Sequence, residues 1–239
     1  LSSFCSSVKP DFWLMGEVVH GDYRNWARAG RLDSVTNYEM YKGLWSSFND
    51  RNFFEVAWSL NRQYGPEGMY RHLTLYNFVD NHDVNRLASI LKNQAHLVPI
   101  YGLLFAIPGI PSIYYGSEWG LRGEKKNGSD ELLRPPIYET ADHGAHSGVP
   151  EACRPICNAE IPERAIHELA EIRKAHPALR TGSYRQLLVE SEAFAFLRRD
   201  GDDTLVIAVN SSGTAKRANI SADGIGVEGQ MAKEIFRDS

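Results

Sequence analysis

Four short strand-like runs, each closed by a polar loop, constrain the fold of this 239-residue chain more than any other feature. They are residues 11–16, 32–36, 73–79 and 109–116. The first follows Pro10 and is apolar almost throughout; the third is rich in aromatic and β-branched residues; the fourth is bracketed by Gly109 and Gly116. Runs of this kind, without strict alternation, suit strands covered on both faces. Helical patterns lie around and between them. Residues 1–8 read as the last turns of a helix, and residues 52–63 have helical length. Leu97, Ile100, Tyr101 and Leu104 fall at i, i+3, i+4 and i+7, one face of a helix. Another helix starts at Ile161, with Pro162 in its first turn and a stripe of Ile161, Ala165, Leu169 and Ile172. The order is strand–helix four times, which predicts parallel βα units. Four such units are half of a (β/α)8 barrel.

From about Ser183 the texture changes. Residues 193–197 and 205–209 flank the turn-rich Asp200-Gly-Asp-Asp203, a β-hairpin signature. The expected organisation is α/β over residues 1–180, then a small all-β domain over 181–239. Residues 117–160 form a long Gly- and Pro-rich stretch; loops of that length in compact domains are usually functional.

Charge narrows the partners. With 26 Lys+Arg against 30 Asp+Glu, no basic patch stands out to grip a phosphate backbone, so nucleic acid is not expected. No apolar run approaches the roughly 20 residues of a membrane-spanning helix, so no membrane partner is expected either. Cys5, Cys153 and Cys157 are an odd count with no disulfide framework. Cys153-x3-Cys157 has no second ligand pair for zinc, and no metal site is assigned. Free thiols suit a reducing compartment, which leans toward the cytoplasm.

Barrel enzymes react at the C-terminal ends of their strands. Glu17 follows the first run, in Met15-Gly-Glu-Val-Val-His20. Asp83 follows the third, in Phe78-Val-Asp-Asn-His-Asp-Val-Asn-Arg86. Each acid stands near a histidine, His20 or His82. Cleaving a glycosidic bond takes two carboxyl groups, one to protonate the leaving oxygen and one to attack or stabilise the anomeric carbon. An acid after a strand is also an ordinary helix cap, and either histidine alone would be a loop residue. The spacing by itself indicates a barrel enzyme, with hydrolysis one option.

Three ordered segments carry a resemblance. Phe78-Val-Asp-Asn-His-Asp83 resembles the F-x-x-N-H-D signature of the α-amylase family, glycoside hydrolase family 13. Gly16-Glu17-Val-Val-His20 resembles its strand-five segment G-E-x-x-H, and residues 109–118 resemble its strand-eight motif G-x-P-x-x-Y-Y-G-x-E. Gly128-Ser-Asp130 and Arg134-Pro135 are similar to the loop that follows. The resemblance covers roughly residues 8–210. It implies strands five to eight of the barrel, followed by the start of a C-terminal β-sandwich domain.

It also implies roles. Glu17 would be the general acid/base, and Asp83 the carboxylate that orients the sugar and stabilises the oxocarbenium-like transition state. His20 and His82 would hydrogen-bond substrate hydroxyls, with Asn81 supporting the site. Arg86 would be structural, Tyr114 and Tyr115 barrel packing, Glu118 at most a supporting group, and Asp22 and Asp80 solvent-facing or structural. The implied reaction is retaining hydrolysis of α-glucosidic bonds in an α-glucan or maltooligosaccharide. For that role Glu17 has to carry a proton at working pH, which burial and neighbouring carboxylates favour. No cofactor is evident; calcium occurs in many members, through loops of the other half-barrel. The family's nucleophile, an aspartate in a G-x-R-x-D-type segment, has no counterpart here, and neither Asp33 nor Asp80 sits in such a segment.

A half-barrel would expose the edges of its first and fourth strands. The chain is therefore expected to be a piece of a longer enzyme, to pair with a separate chain carrying strands one to four, or to self-associate. Two rival readings remain: a transglycosylase or isomerase of the same family, and a non-catalytic amylase-like module that binds glucan or protein.

Overall fold

The computed structural model describes residues 1–136, 149–155, 160–220, 225 and 233–236. Cys157 and much of the Gly- and Pro-rich stretch lie outside these residues.

The first half of the fold is a set of short parallel strands in chain order. Helix α1 (Ser2–Val8) precedes β1 (Met15–Gly16), which pairs in parallel with β2 (Ser34–Val35). Helices α2 (Tyr38–Asn49) and α3 (Phe53–Tyr64) lead to β3 (Tyr76–Phe78). Helices α4 (Leu87–Ile90) and α5 (Leu97–Ala106) lead to β4 (Ile110–Ser112), parallel to β3. A parallel bridge between Thr36 and Tyr76 joins the two pairs. Every strand lies inside a run expected to hold one, but regular pairing is shorter than the run. In β4 this has a clear cause, since Pro111 has no N–H to give to a ladder.

Two expectations are corrected. The order is not strand–helix four times, because β1 and β2 are joined only by a 3-10 turn, Tyr23–Asn25, capped by Asp22. Gly21 and Gly30 take φ of 101° and 76° on either side of it, and a right-handed helix cannot run through such residues. Helix α5 is not one-faced either. Eight of its side chains are buried, from Leu97 to Ala106, because other elements cover it all round.

Helix α2 had not been anticipated. Met40, Leu44 and Phe48 form its buried i, i+4, i+8 stripe, and Asn37 caps it by accepting from Met40 N at 3.3 Å. Gly43 faces α3, where a Cβ would meet Val56 Cα at an ordinary contact distance of 3.5 Å. Asn52 caps α3 in turn, and Phe53, Val56, Leu60 and Tyr64 face inward.

The second half begins with α6 (Glu160–Ala175) and α7 (Pro177–Arg180). The antiparallel strands β5 (Ser183–Val189), β6 (Ala193–Asp200) and β7 (Asp203–Asn210) follow, with β6 central. The expected hairpin is β6–β7, closed through Gly201 at φ 57°. Phe194 of β6 stacks on Phe53 of α3 at 6.1 Å between centroids, and Phe53 N donates to Ser191 O at 3.1 Å. The sheet therefore shares one hydrophobic core with the helices.

The N-terminal segment is different. Helix α1 buries no residue, and Phe4, Val8, Phe12, Trp13, Met15 and Val19 are all exposed. They flank β1, whose only ladder partner among the described residues is β2. Cys5 and Cys153 are free thiols. No described helix is long and apolar enough to cross a membrane.

Candidate active site

The loop after β3 is built around a buried carboxylate. Asp80 is 2% exposed; it accepts from Leu87 N at 2.9 Å and from Ser117 Oγ at 2.9 and 2.8 Å. Of the two options left for Asp80, structural holds and solvent-facing does not. Burial raises its carboxyl above the ordinary range, although Leu87 N–H, Arg86 and Ser117 all oppose the rise. Asp22, the other acid of that pair, is a surface group that meets Arg24 at 2.6 Å.

Arg86 braces the same loop from below. It donates to Leu133 O at 3.1 Å, Tyr115 O at 2.6 Å and Ser117 Oγ at 3.2 Å. Its guanidinium lies 4.0 Å from the ring centroid of Tyr114 and 5.0 Å from that of Tyr115. Both tyrosine rings, themselves 4.6 Å apart between centroids, thus pack against Arg86. Burial raises the Glu118 carboxyl as well.

Above this base the chain turns. Asn81 Oδ1 accepts from Asp83 N at 2.8 Å, an Asx turn that fixes the Asn81 amide. Asn81 Nδ2 then donates to Tyr38 Oη at 2.9 Å, and Tyr38 Oη donates to Glu17 Oε1 at 3.0 Å. Tyr38 sits at the start of α2, directly after its cap. The cap residue, Asn37, is held by buried amides, with Nδ2 donating to Gln63 Oε1 at 2.9 Å and Asn77 Oδ1 at 2.8 Å. Burial raises the Tyr38 hydroxyl's pKa, so it remains a donor at neutral pH; Asn81 opposes the rise and Glu17 adds to it.

Glu17, at the end of β1, and His82 and Asp83, after β3, come together. One oxygen or nitrogen atom from each lies within 4.8 Å of the others. Asp83 Oδ1 is 3.4 Å from His82 Nε2 and 2.8 Å from Arg134 Nη2. Arg134 also donates to His82 O at 3.0 Å and meets Asp130 at 3.1 Å. Atoms at these distances could hold a cation, but Arg134 already neutralises Asp83, and exposed acids often cluster without a metal. His20 is exposed and makes no hydrogen bond among the described residues, so the structure does not bring it into this network. Glu17 is exposed too, so the burial expected around it is not provided by the described residues. The sequence reading missed Tyr38 and gave Arg134 no role. The one available signal was an aromatic residue following a strand end and a capping asparagine.

Residues 1–147 match the family model "Alpha amylase, catalytic domain". The chain belongs to the α-amylase family. Within that family it is similar to the cyclomaltodextrinase of Geobacillus thermopakistaniensis (strain MAS1), at 27% identity over 225 residues, covering 92% of this chain and 35% of the relative. It is also similar to the α-amylase of Streptomyces lividans, at 28% identity over 253 residues, covering 92% of this chain and 26% of the relative. The acarbose-soaked crystal structure of the Nostoc punctiforme debranching enzyme superposes with a TM-score of 0.72 at 25% identity, covering 98% of this chain and 48% of that one. The chain therefore spans about a third, 35%, and about a quarter, 26%, of these curated relatives, and about half, 48%, of the solved structure. The likeness to the debranching enzyme covers nearly the whole chain, so the parallel strands here share the fold of the matching part of that structure.

Proposed function

We propose that this chain supplies the general acid/base, Glu17, and the sugar-orienting carboxylate, Asp83, of a retaining enzyme that hydrolyses α-glucosidic bonds in maltooligosaccharide or starch-type substrates. Residues 1–180 are strands five to eight of the barrel with their helices, and residues 181–239 the start of a C-terminal β domain. The observation that carries this reading is the meeting of Glu17, His82 and Asp83 within 4.8 Å at the ends of β1 and β3. Strand ends are where barrel enzymes place their chemistry.

In the first step Glu17 protonates the glycosidic oxygen as the bond to the anomeric carbon breaks. In the second, as a carboxylate, it takes a proton from the water that releases the sugar. The Arg134 ion pair on Asp83 draws on its negative charge, which favours holding sugar hydroxyls over nucleophilic attack. His82 and His20 hydrogen-bond the sugar around it, with Asn81 supporting the site through Asp83 N and Tyr38 Oη. The nucleophile comes from polypeptide outside these residues, since no aspartate here lies in the required segment. The exposed apolar residues beside β1 support a neighbouring half-barrel on that edge, in the same longer chain, in a second chain or in a second copy.

The test is hydrolysis of a maltooligosaccharide by the complete enzyme and its Glu17→Gln variant. Loss of about 10²–10⁴ in kcat is expected for removal of a general acid. Retention of kcat within a factor of three would overturn the assignment. Light scattering on this chain alone, with the same assay, separates the arrangements: an active dimer favours two copies and would overturn the placing of the nucleophile outside these residues, and an inactive sample favours the other two.

A further inference from the structure

We infer that Tyr38 is a positioning residue that dictates which oxygen of Glu17 carries the catalytic proton; this rests on the reading of Glu17 as general acid/base. Hydrogen-bond direction is fixed along four groups, from Asp83 N through Asn81 and Tyr38 to Glu17. Asp83 N–H donates to Asn81 Oδ1, so the Asn81 amide nitrogen faces Tyr38. An amide nitrogen only donates, so Tyr38 Oη accepts there. Its single proton is then left to point at Glu17 Oε1, 3.0 Å away. An oxygen that accepts this bond serves as the carbonyl oxygen of the protonated acid, and the acid proton resides on Oε2.

The ring has little freedom to point elsewhere. Its edge packs on Phe78 at 4.8 Å between centroids and 76° between planes, and Asn37 anchors the backbone beside it. Glu17 itself is exposed, so Tyr38 is the one hydrogen-bond partner that orients its carboxyl group among the described residues.

The arrangement also contributes to the chemical step. When the proton leaves Oε2 for the glycosidic oxygen, the electron pair of the breaking carbon–oxygen bond goes to that oxygen and Glu17 becomes a carboxylate. The Tyr38 bond to Oε1 then changes from neutral to charge-assisted and strengthens. An interaction that grows toward the transition state lowers the barrier without tightening substrate binding.

The experiment compares Tyr38→Phe and Glu17→Gln with the parent in the complete enzyme. The substrates are a maltooligosaccharide, whose leaving group needs a proton, and α-maltosyl fluoride, whose leaving group needs little help. For Tyr38→Phe, kcat/KM on the maltooligosaccharide should fall about ten- to hundredfold, within the range of acid catalysis. On the fluoride it should fall less than about threefold, and KM should change little. Equal losses on both substrates, a change confined to KM, or no change would overturn the positioning role. Glu17→Gln should show the same leaving-group pattern more strongly; if it keeps activity on both substrates, the assignment of Glu17 fails instead. A second readout needs no turnover. The ring resonances of Tyr38 should move with the ionisation of Glu17, and that movement should vanish in Glu17→Gln. Its absence in the parent would overturn the proposal even if Tyr38→Phe did not fold.

Discussion

Ser117 Oγ lies 2.9 and 2.8 Å from the two carboxylate oxygens of Asp80, tying the turn after β4 to the loop after β3. The same carboxylate accepts from Leu87 N at 2.9 Å, and Ser117 Oγ also receives Arg86. Ser117→Ala should therefore cost about 1–3 kcal/mol, the penalty of leaving buried partners unpaired. Asp80→Ala should cost about 3–5 kcal/mol, because it strands the Leu87 N–H and removes the charge facing buried Arg86. Urea unfolding of both variants checks the order; equal costs would show that Asp80 is not the centre of this network.

Gly109 precedes β4 with φ at 110°, a conformation that side chains rarely adopt. A Cβ there would also stand 2.5 Å from Asn77 Nδ2 and from Leu75 O. Gly109→Ala should cost about 1–3 kcal/mol for the backbone alone, and more for the displaced Asn77. Thermal unfolding reads the loss; a melting temperature within a degree of the parent would mean that the loop simply rearranges.

Arg198 is fully buried on β6 and donates to Ala106 O, to Gly182 O at 2.9 Å and to Ser183 O at 3.3 Å. It fastens the sheet to the end of α5 and to the strand beside it. Arg198→Ala should destabilise the chain by about 3 kcal/mol. Arg198→Lys should recover only part, since an ammonium cannot reproduce the planar fork. Full recovery by lysine would mean that charge alone matters at this site.

Asp203 gives a pH dependence of known sign. Burial alone would raise its carboxyl, but the Ala178 N–H and the His176 ring, at 2.9 Å each, outweigh burial and hold it below its ordinary 3.8. A carboxyl lowered on folding stabilises the fold fully above 3.8, and the contribution is lost as pH falls through the folded value. The gap in urea midpoint between the parent and Asp203→Asn should therefore be widest at pH 5–7 and narrow toward pH 3. A gap that stays constant would remove Asp203 as its source.

Much of the fold was legible because it is written in short-range pattern. The runs at 11–16, 32–36, 73–79 and 109–116 each hold a strand, since short stretches with apolar, aromatic or β-branched residues between polar loops have few other uses at that length. Asn52 marks the start of α3, and the Asp200–Asp203 turn closes a hairpin. That Glu17, His82 and Asp83 come together was legible from their places after two strand-like runs and from the motif resemblance.

Tertiary structure decided the rest. Helix α2 was hidden because Gly43, Ser46 and Ser47 blur its apolar stripe; those small residues are buried against neighbours that only the fold brings near. The full burial of α5 depends on elements far away in sequence, such as α6 and the sheet whose Arg198 reaches its last carbonyl, Ala106 O. Asp80 looked like one more loop acid until Leu87 and Ser117 closed on it. Tyr38 is 21 residues from Glu17 and 43 from Asn81, and no local periodicity links them. Sequence by itself determined where the four strand-bearing runs, helix α3 and the β6–β7 hairpin lie, because φ/ψ preference and side-chain period act over a few residues. Which hydroxyl meets which carboxylate was decided by packing between segments, where distance along the chain carries no information about distance in space.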